Sequence, residues 1–261
     1  CRATCRPTCR VRRRARPPPL PDGPRPVRIL FLSQFFDPEP GYKGLPFARA
    51  LRDRGHDVHV LTGFPNYPGG RVYPGYRVRP VQHETLDGFP VRRVALYPSH
   101  DRSAVRRVAN YTSFAASAAL LGPLGLPRPD VVYAYCPPAT VGIPARAVQL
   151  WTGAPYVLDV QDLWPDTVAT TGMMQSPALL GVLGRFCTGV YRRAAHVTVL
   201  SEGFRRTFVE RGHPPERVSV IPNWADESAP VMDEADPGVR ERLGIEPDRL
   251  VVMFAGTMGV A

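Results

Sequence analysis

The sequence predicts an α/β fold, a doubly wound parallel sheet of Rossmann-like type, and three observations carry that expectation. Short runs rich in Val, Ile and Leu recur without polar alternation, as strands buried on both faces require. Stretches of helical periodicity separate them, the order expected when helices cover both sides of a sheet. The 261 residues, 44% of them hydrophobic, suffice for one to two domains with a real core.

The elements follow in order. The first strand is expected over 27–32 (VRILFL), and a helix over 45–54 ends at Gly55, a residue free to adopt the left-handed helix cap. Strand 57–62 follows, then a long loop, 63–76, crowded with Gly, Pro and Tyr. Segments 77–84 and 90–97 read as a strand pair around Asp87-Gly88, a turn dipeptide. Helix 103–122, strand 130–135, helix 139–152, strand 156–160, helix 176–194, strand 196–200, helix 203–211 and strand 218–221 continue the alternation. After an acidic, proline-containing stretch come helix 238–243, strand 249–255 and the glycine loop Gly256-Thr257-Met258-Gly259. The expected division is therefore a tail, 1–26; a Rossmann-like domain, 27–227; a linker, 228–247; and the first strand and loop of a second, truncated domain, 248–261. Ligands of such sheets sit beyond the carboxyl ends of the strands, which directs attention to loops 34–44, 63–76, 136–139, 161–171 and 222–226.

The net charge of +10 suggests a nucleic-acid binder until it is divided by position. The first 25 residues hold eight arginines and one aspartate, leaving only +3 for the rest. A near-neutral body lacks the basic face that a phosphate backbone needs, so no nucleic-acid partner is expected. The tail has almost no large apolar residues and is expected to be unstructured. Three readings of it stand: an arginine-rich arm, a metal cluster at Cys1, Cys5 and Cys9, or translated sequence foreign to the protein. The first methionine is Met173 and Val27 opens the first strand, which favours the third reading. The two remaining cysteines, Cys136 and Cys187, lack C-x-x-C spacing and fit a reducing compartment. With no run of 18 apolar residues, a cytoplasmic protein is expected, with the inner face of the plasma membrane as a further site of action.

The loop after the first strand, Asp37-Pro38-Glu39-Pro40-Gly41-Tyr42-Lys43-Gly44, matches neither G-x-G-x-x-G nor a P-loop. What it offers is a glycine-bearing turn at a helix N-terminus, where free N–H groups and the helix dipole receive phosphate. Lys43 is the only lysine against 32 arginines, which suggests a compact ammonium where a planar guanidinium does not fit; an ordinary solvated lysine is the alternative. No H-x-x-H pair or carboxylate cluster has metal spacing, so no metal is expected. Helix 103–122 opens with Arg102, Arg106, Arg107, Tyr111 and Phe114 ahead of an alanine-rich body. It reads either as a core helix or as an interfacial helix making peripheral membrane contact through 102–122.

Taken together, Glu39-x-Gly41 with Lys43-Gly44, Arg54-Gly55-His56-Asp57-Val58, Leu61-Thr62-Gly63-Phe64-Pro65-Asn66-Tyr67-Pro68, Asp162-Leu163-Trp164-Pro165-Asp166, Leu200-Ser201-Glu202-Gly203-Phe204 and Ile221-Pro222-Asn223-Trp224 come in one order. The chain resembles the family 4 glycosyltransferases, in the WbuB-like branch that builds bacterial surface polysaccharides, from Val27 to Ala261. The resemblance implies a GT-B architecture with an acceptor domain first and a donor domain second. It implies retaining transfer from a nucleotide-diphosphate sugar, as co-substrate rather than cofactor, to a glycan or polyprenyl-linked acceptor. Such a transfer must stabilise a departing diphosphate, which calls for cations and helix termini in a dry cleft.

By this resemblance Gly41, Lys43 and Gly44, with Gly256 and Gly259 in the F-x-G-x-x-G-like loop, are donor-side candidates. The family's Arg/Lys pair and E-x7-E motif would lie further on, so the chain is expected to be an inactive N-terminal piece. Many relatives carry His-Asp where this chain has Gln161-Asp162, which removes histidine roles. Asp162 is the candidate catalytic carboxylate, orienting an acceptor hydroxyl, with loop capping as its alternative. Gln161, Trp164, Asn223 and Trp224 are acceptor or hinge candidates. Other functional classes remain: a non-catalytic nucleotide-sugar or polysaccharide binding module, and a GT-B sugar epimerase.

Overall fold

A computed structural model describes residues 25–253 except 42, 100–102, 173, 225–237 and 247. Most of the expected tail, the acidic stretch, and Gly256 and Gly259 lie outside the described residues.

The strands are β1 (Arg28–Ser33), β2 (Asp57–Gly63), β3 (Val81–Leu86), β4 (Phe89–Val94), β5 (Val131–Cys136), β6 (Tyr156–Val160), β7 (His196–Val199) and β8 (Val218–Val220). They form one sheet in the order β3-β4-β2-β1-β5-β6-β7-β8, parallel throughout except for β3, which pairs antiparallel with β4. Winding runs outward from β1 through β2 to β4 on one side, and from β5 to β8 on the other. The reversal between β1 and β5 is the topological switch point of a Rossmann-like sheet. The sheet's edges differ: β8 has three residues, and β3, with six, alternates exposed His83 and Thr85 with half-buried neighbours.

The helices are α1 (Leu45–Arg52), α2 (Ala104–Leu121), α3 (Gly142–Thr152), α4 (Asp166–Thr170), α5 (Pro177–Arg193), α6 (Glu202–Glu210) and α7 (Gly238–Arg242). Strand alternation divides the core. In β1, Leu30 and Leu32 join the larger cluster with Phe114 of α2, Val148 of α3 and Cys187 of α5, while Phe31 joins the smaller one with Ala48 of α1. An apolar run without polar alternation is thus read correctly as a strand covered on both faces. Ser103 and Ser201 cap α2 and α6 by accepting from Arg106 N at 3.4 Å and Phe204 N at 3.2 Å. The β3–β4 turn places Asp87 at φ 51° and Gly88 at φ 82°, both left-handed as a two-residue hairpin of this kind requires. Cys136 and Cys187 are free and buried.

Three differences from the sequence reading have physical causes. The loop expected at 161–171 contains α4, a single turn held by Thr167 N to Leu163 O at 2.8 Å, too short to leave a periodic signal. The strand expected from 77 begins only at Val81, after Pro80. Residues 249–253 form no strand; Leu250, Val252 and Met253 are exposed, and no described strand offers them a ladder.

Leu158, in the middle of β6, has 0% exposure, whereas Leu120 on the outer side of α2 has 73%. Leu158→Ala is expected to cost about 2–5 kcal/mol in urea unfolding. Leu120→Ala should stay within about 0.5 kcal/mol of wild type in the same experiment.

Candidate functional site

At the winding reversal the loops following β1, β5, β6, β7 and β8 surround a cleft of about 450 Å³. Phe35, Pro40 and Gly41 come from the β1–α1 loop, Tyr67 from the β2 loop and Tyr111 from α2. Tyr135 and Pro137 form the β5 side, and Gln161, Asp162, Leu200 and Asn223 close the far side. Aromatic rings beside two amides and one carboxylate give this lining both apolar faces and directional hydrogen-bonding groups. The Asp37–Pro38, Tyr67–Pro68, Pro137–Pro138 and Trp164–Pro165 bonds in the surrounding loops are cis.

Beneath the cleft lies a buried ion pair. Lys43 Nζ is bonded to Asp159 of β6, both side chains have 0% exposure, and the ammonium reaches Tyr133 Oη at 3.3 Å. The rings of Phe47, Tyr133, Tyr135 and Trp224 stand 5.5–5.9 Å from the same nitrogen, within cation–π range. Burial, then the adjoining Asp159 carboxylate, pushes the Tyr133 hydroxyl well above the ordinary phenol range, so it stays neutral. Asp159 Oδ1 accepts from Thr198 Oγ1 at 2.9 Å and from Gln161 Nε2 at 3.0 Å. Gln161 Oε1 in turn accepts from Asn223 Nδ2 at 3.0 Å. A continuous polar chain therefore runs from the core to the cleft wall, and it fixes which way the Gln161 and Asn223 amides face.

The β1–α1 loop is held from three sides. Glu39 is 4% exposed and accepts from Phe36 N at 3.2 Å, Asn66 N at 2.6 Å and Tyr67 N at 2.7 Å. Burial outweighs these donors and pushes its carboxyl up to about 7. Arg93, fully buried on β4, donates to Asp37 O at 2.5 Å and Gly63 O at 2.9 Å and pairs with Glu84 at 2.6 Å. Asp37 Oδ2 accepts from Leu45 N at 2.7 Å.

The expected site residues divide accordingly. Gly41, Gln161, Asp162 and Asn223 come together in the cleft. The carboxylate of Asp162 makes no hydrogen bond among the described residues, so it does not cap its loop, and burial raises its pKa. Lys43 was expected as a point charge on the loop; its ammonium is instead enclosed and offset by Asp159. The N–H groups reserved for phosphate at the start of α1 are also committed. Leu45 N is taken by Asp37, Pro46 has none, and Phe47 N bonds Gly44 O at 3.1 Å. Gly44 has a steric reason for being glycine, because a Cβ there would collide with the Asp37 carboxylate, whereas a Cβ at Gly41 would meet nothing. Trp164 packs edge-on against Tyr111, centroids 6.2 Å apart, and Trp224 lies against Phe47 at 6.0 Å; neither lines the cleft. Asp159, Glu39's anchoring role and Arg93 were missed. The available signal for Asp159 was a carboxylate inside the apolar strand YVLDV, which demands a cation in a chain with one lysine. Among the described residues, no group of three or more His, Cys, Asp or Glu is placed to hold a metal ion.

Two outcomes follow from this geometry. Asp159→Asn and Lys43→Met each strand a buried charge and should cost about 3–5 kcal/mol in urea unfolding, while the double variant recovers part of that loss. Glu39 binds its proton more tightly folded, at about 7, than unfolded, at 4.5. Stability relative to Glu39→Gln should therefore be greatest below the unfolded value and fall as pH rises to about 7, as measured by melting temperature across that window.

Comparison with known proteins places this geometry. The chain is 27% identical over 219 residues to the putative colanic acid biosynthesis glycosyl transferase WcaI of Escherichia coli (strain K12), covering 80% of this chain and 53% of that protein. It thus spans about half the length of this curated relative. Among solved structures, Anabaena HepE in complex with UDP and glucose aligns with a TM-score of 0.45 and 18% identity, over 84% of this chain and 50% of that one. An Arabidopsis thaliana protein complexed with UDP-L-rhamnose aligns with a TM-score of 0.48 and 12% identity, over 78% and 51%. The sequence profile of the glycosyl transferase 4-like domain matches residues 45–224, from the start of α1 to the end of the cleft-lining segments. By that match the chain belongs to the glycosyl transferase 4-like family.

Proposed function

We propose that the chain is the acceptor-side half of a GT-B glycosyltransferase that moves a sugar, with retention, from a nucleotide-diphosphate sugar to a glycan or polyprenyl-linked acceptor in bacterial surface polysaccharide synthesis. The observation that carries this reading is the Asp162 carboxylate: it lines the cleft at the switch point, is partly desolvated, and has no hydrogen-bond partner among the described residues. A carboxylate so placed is available to accept from an acceptor hydroxyl and orient it for attack. Tyr67, Tyr111 and Tyr135 offer faces for sugar rings, and the Gln161 and Asn223 amides, fixed through Asp159, offer directional hydrogen bonds.

The donor diphosphate, in this reading, meets the Gly41 side of the cleft and the Gly256 and Gly259 loop of a second Rossmann-like half. Lys43 contributes from below, by holding Asp159 and through it Gln161. Protein cations of that second half, rather than a metal, would take the leaving charge. The setting is the cytoplasm, at the inner membrane face. Among the described residues no helix is long and apolar enough to cross a membrane. Peripheral contact through α2 is supported by its two sides: Phe114, Ala115 and Ala118 are buried against the sheet, while Val105 and Val108, beside Arg106, and Leu120 at the far end are exposed.

The division of labour is tested on this chain by calorimetry. A polyprenyl-diphosphate-linked sugar should bind saturably and Asn223→Ala should weaken it, with free nucleotide sugar binding weakly and no transfer occurring. Tight nucleotide-sugar binding, or transfer by this chain alone, overturns the acceptor-half reading. In an enzyme carrying both halves, Asp162→Asn should lower kcat by about 10²-fold or more with an unchanged melting temperature. An unchanged kcat removes Asp162 from the chemistry; absence of any transfer favours a binding module.

A further inference from the structure

A second cavity, of about 360 Å³, shares no residue with the cleft. Its lining includes His59 of β2, His83 of β3, Arg92 of β4, and Leu126 and Pro127 from the turn after α2. Arg92 is paired in register with His83, so both side chains stand on the same face of the hairpin. It is 8% exposed, which is unusual for a cation without a counter-ion. One guanidinium nitrogen donates to the Leu124 carbonyl, and the buried Nε has no partner. No described carboxylate lies within salt-bridge distance of it. The nearby acids are engaged elsewhere. Glu84 also lines the cavity, but strand alternation turns its side chain to the other face, where the carboxylate holds Arg93 at 2.6 Å, and Asp57 is shared between Arg28 at 2.7 Å and His59 at 3.2 Å.

We propose that this cavity binds a phosphoryl oxyanion, with Arg92 as its counter-cation and His83 as a flanking donor. A buried cation is stable when paired, and an anion in this cavity would meet the unpartnered Arg92 Nε. The walls fix what else the ligand carries. Leu126 and Pro127 provide apolar surface beside the charge, so the phosphoryl group arrives either as the free anion or as an ester whose sugar ring packs on that wall. The cavity shares no lining residue with the cleft, so this proposal does not rest on how the cleft is used.

The test is titration of the ¹⁵N-labelled chain with inorganic phosphate and, separately, with glucose 1-phosphate. Saturable shifts are expected at the amides of His83, Val91 and Leu126 and not at Gln161 or Asn223. Equal affinities identify the free anion; tighter binding of the ester identifies a sugar phosphate. Arg92→Gln should weaken binding by about tenfold, the loss of one charge-assisted hydrogen bond. Because Arg92 also holds the Leu124 carbonyl, the exposed His83→Ala is the second variant, expected to weaken binding several-fold with an unchanged melting temperature. No saturable shift with either probe, shifts confined to the cleft, or affinities unchanged in both variants overturns the proposal.

Discussion

The arrangement of the cleft depends on one buried charge pair. Placing Asp159 in a strand with no exposure is costly unless a cation and hydrogen-bond donors surround it. Lys43 meets that demand from the neighbouring loop, and Thr198, Gln161 and the aromatic rings complete it. The consequence is geometric as much as energetic. The pair ties the β1–α1 loop to β6 across the switch point, so the two walls of the cleft keep a fixed separation. It also fixes Gln161 and, through it, Asn223, so the polar groups that face a ligand are set by a contact the ligand never touches.

The rest of the loop is restrained by the same logic of satisfied burial. Glu39 gathers three backbone N–H groups, and Arg93 gathers two backbone carbonyls and a carboxylate. Neither side chain is free to meet a ligand. Each replaces hydrogen bonds that an irregular segment cannot make with itself. Gly44 belongs to this set, since the Asp37 carboxylate that caps α1 occupies the space a side chain would need.

Much of this was legible in the residues, and the limits are instructive. Strand 156–160 was read to the residue because an apolar run bounded by Pro155 and Gln161 leaves little freedom, and the hairpin at Asp87-Gly88 announces its own turn. The oddity of Lys43 was also visible. Its partner was not, because the pair spans 116 residues and sequence periodicity carries no information at that distance. The cleft residues Gln161, Asp162 and Asn223 could be placed on the right loops because carboxyl ends of parallel strands collect sites by topology. Tyr111 was read only for its helix; that it reaches the cleft follows from where α2 packs on the sheet, which only the tertiary fold determines. Of the strand expected at 249–255, the described part, 249–253, shows the converse: an apolar run is only half a signal, and with no described strand to pair with, Leu250, Val252 and Met253 lie in the open.

The two edges of the sheet bear on how such a chain survives its own synthesis. An eight-stranded sheet offers two open ladders to any passing strand, and a long flat edge is a seed for aggregation. Here one side ends in a three-residue strand and the other in an antiparallel strand that alternates polar residues toward solvent. The chain can therefore emerge with its most hydrophobic strands, β1, β5 and β6, already destined for the centre. Recruitment of another molecule by edge pairing gains few hydrogen bonds at β8 and meets solvent-facing polar side chains at β3, and selection acting on solubility would be felt at His83 and Thr85 rather than in the core.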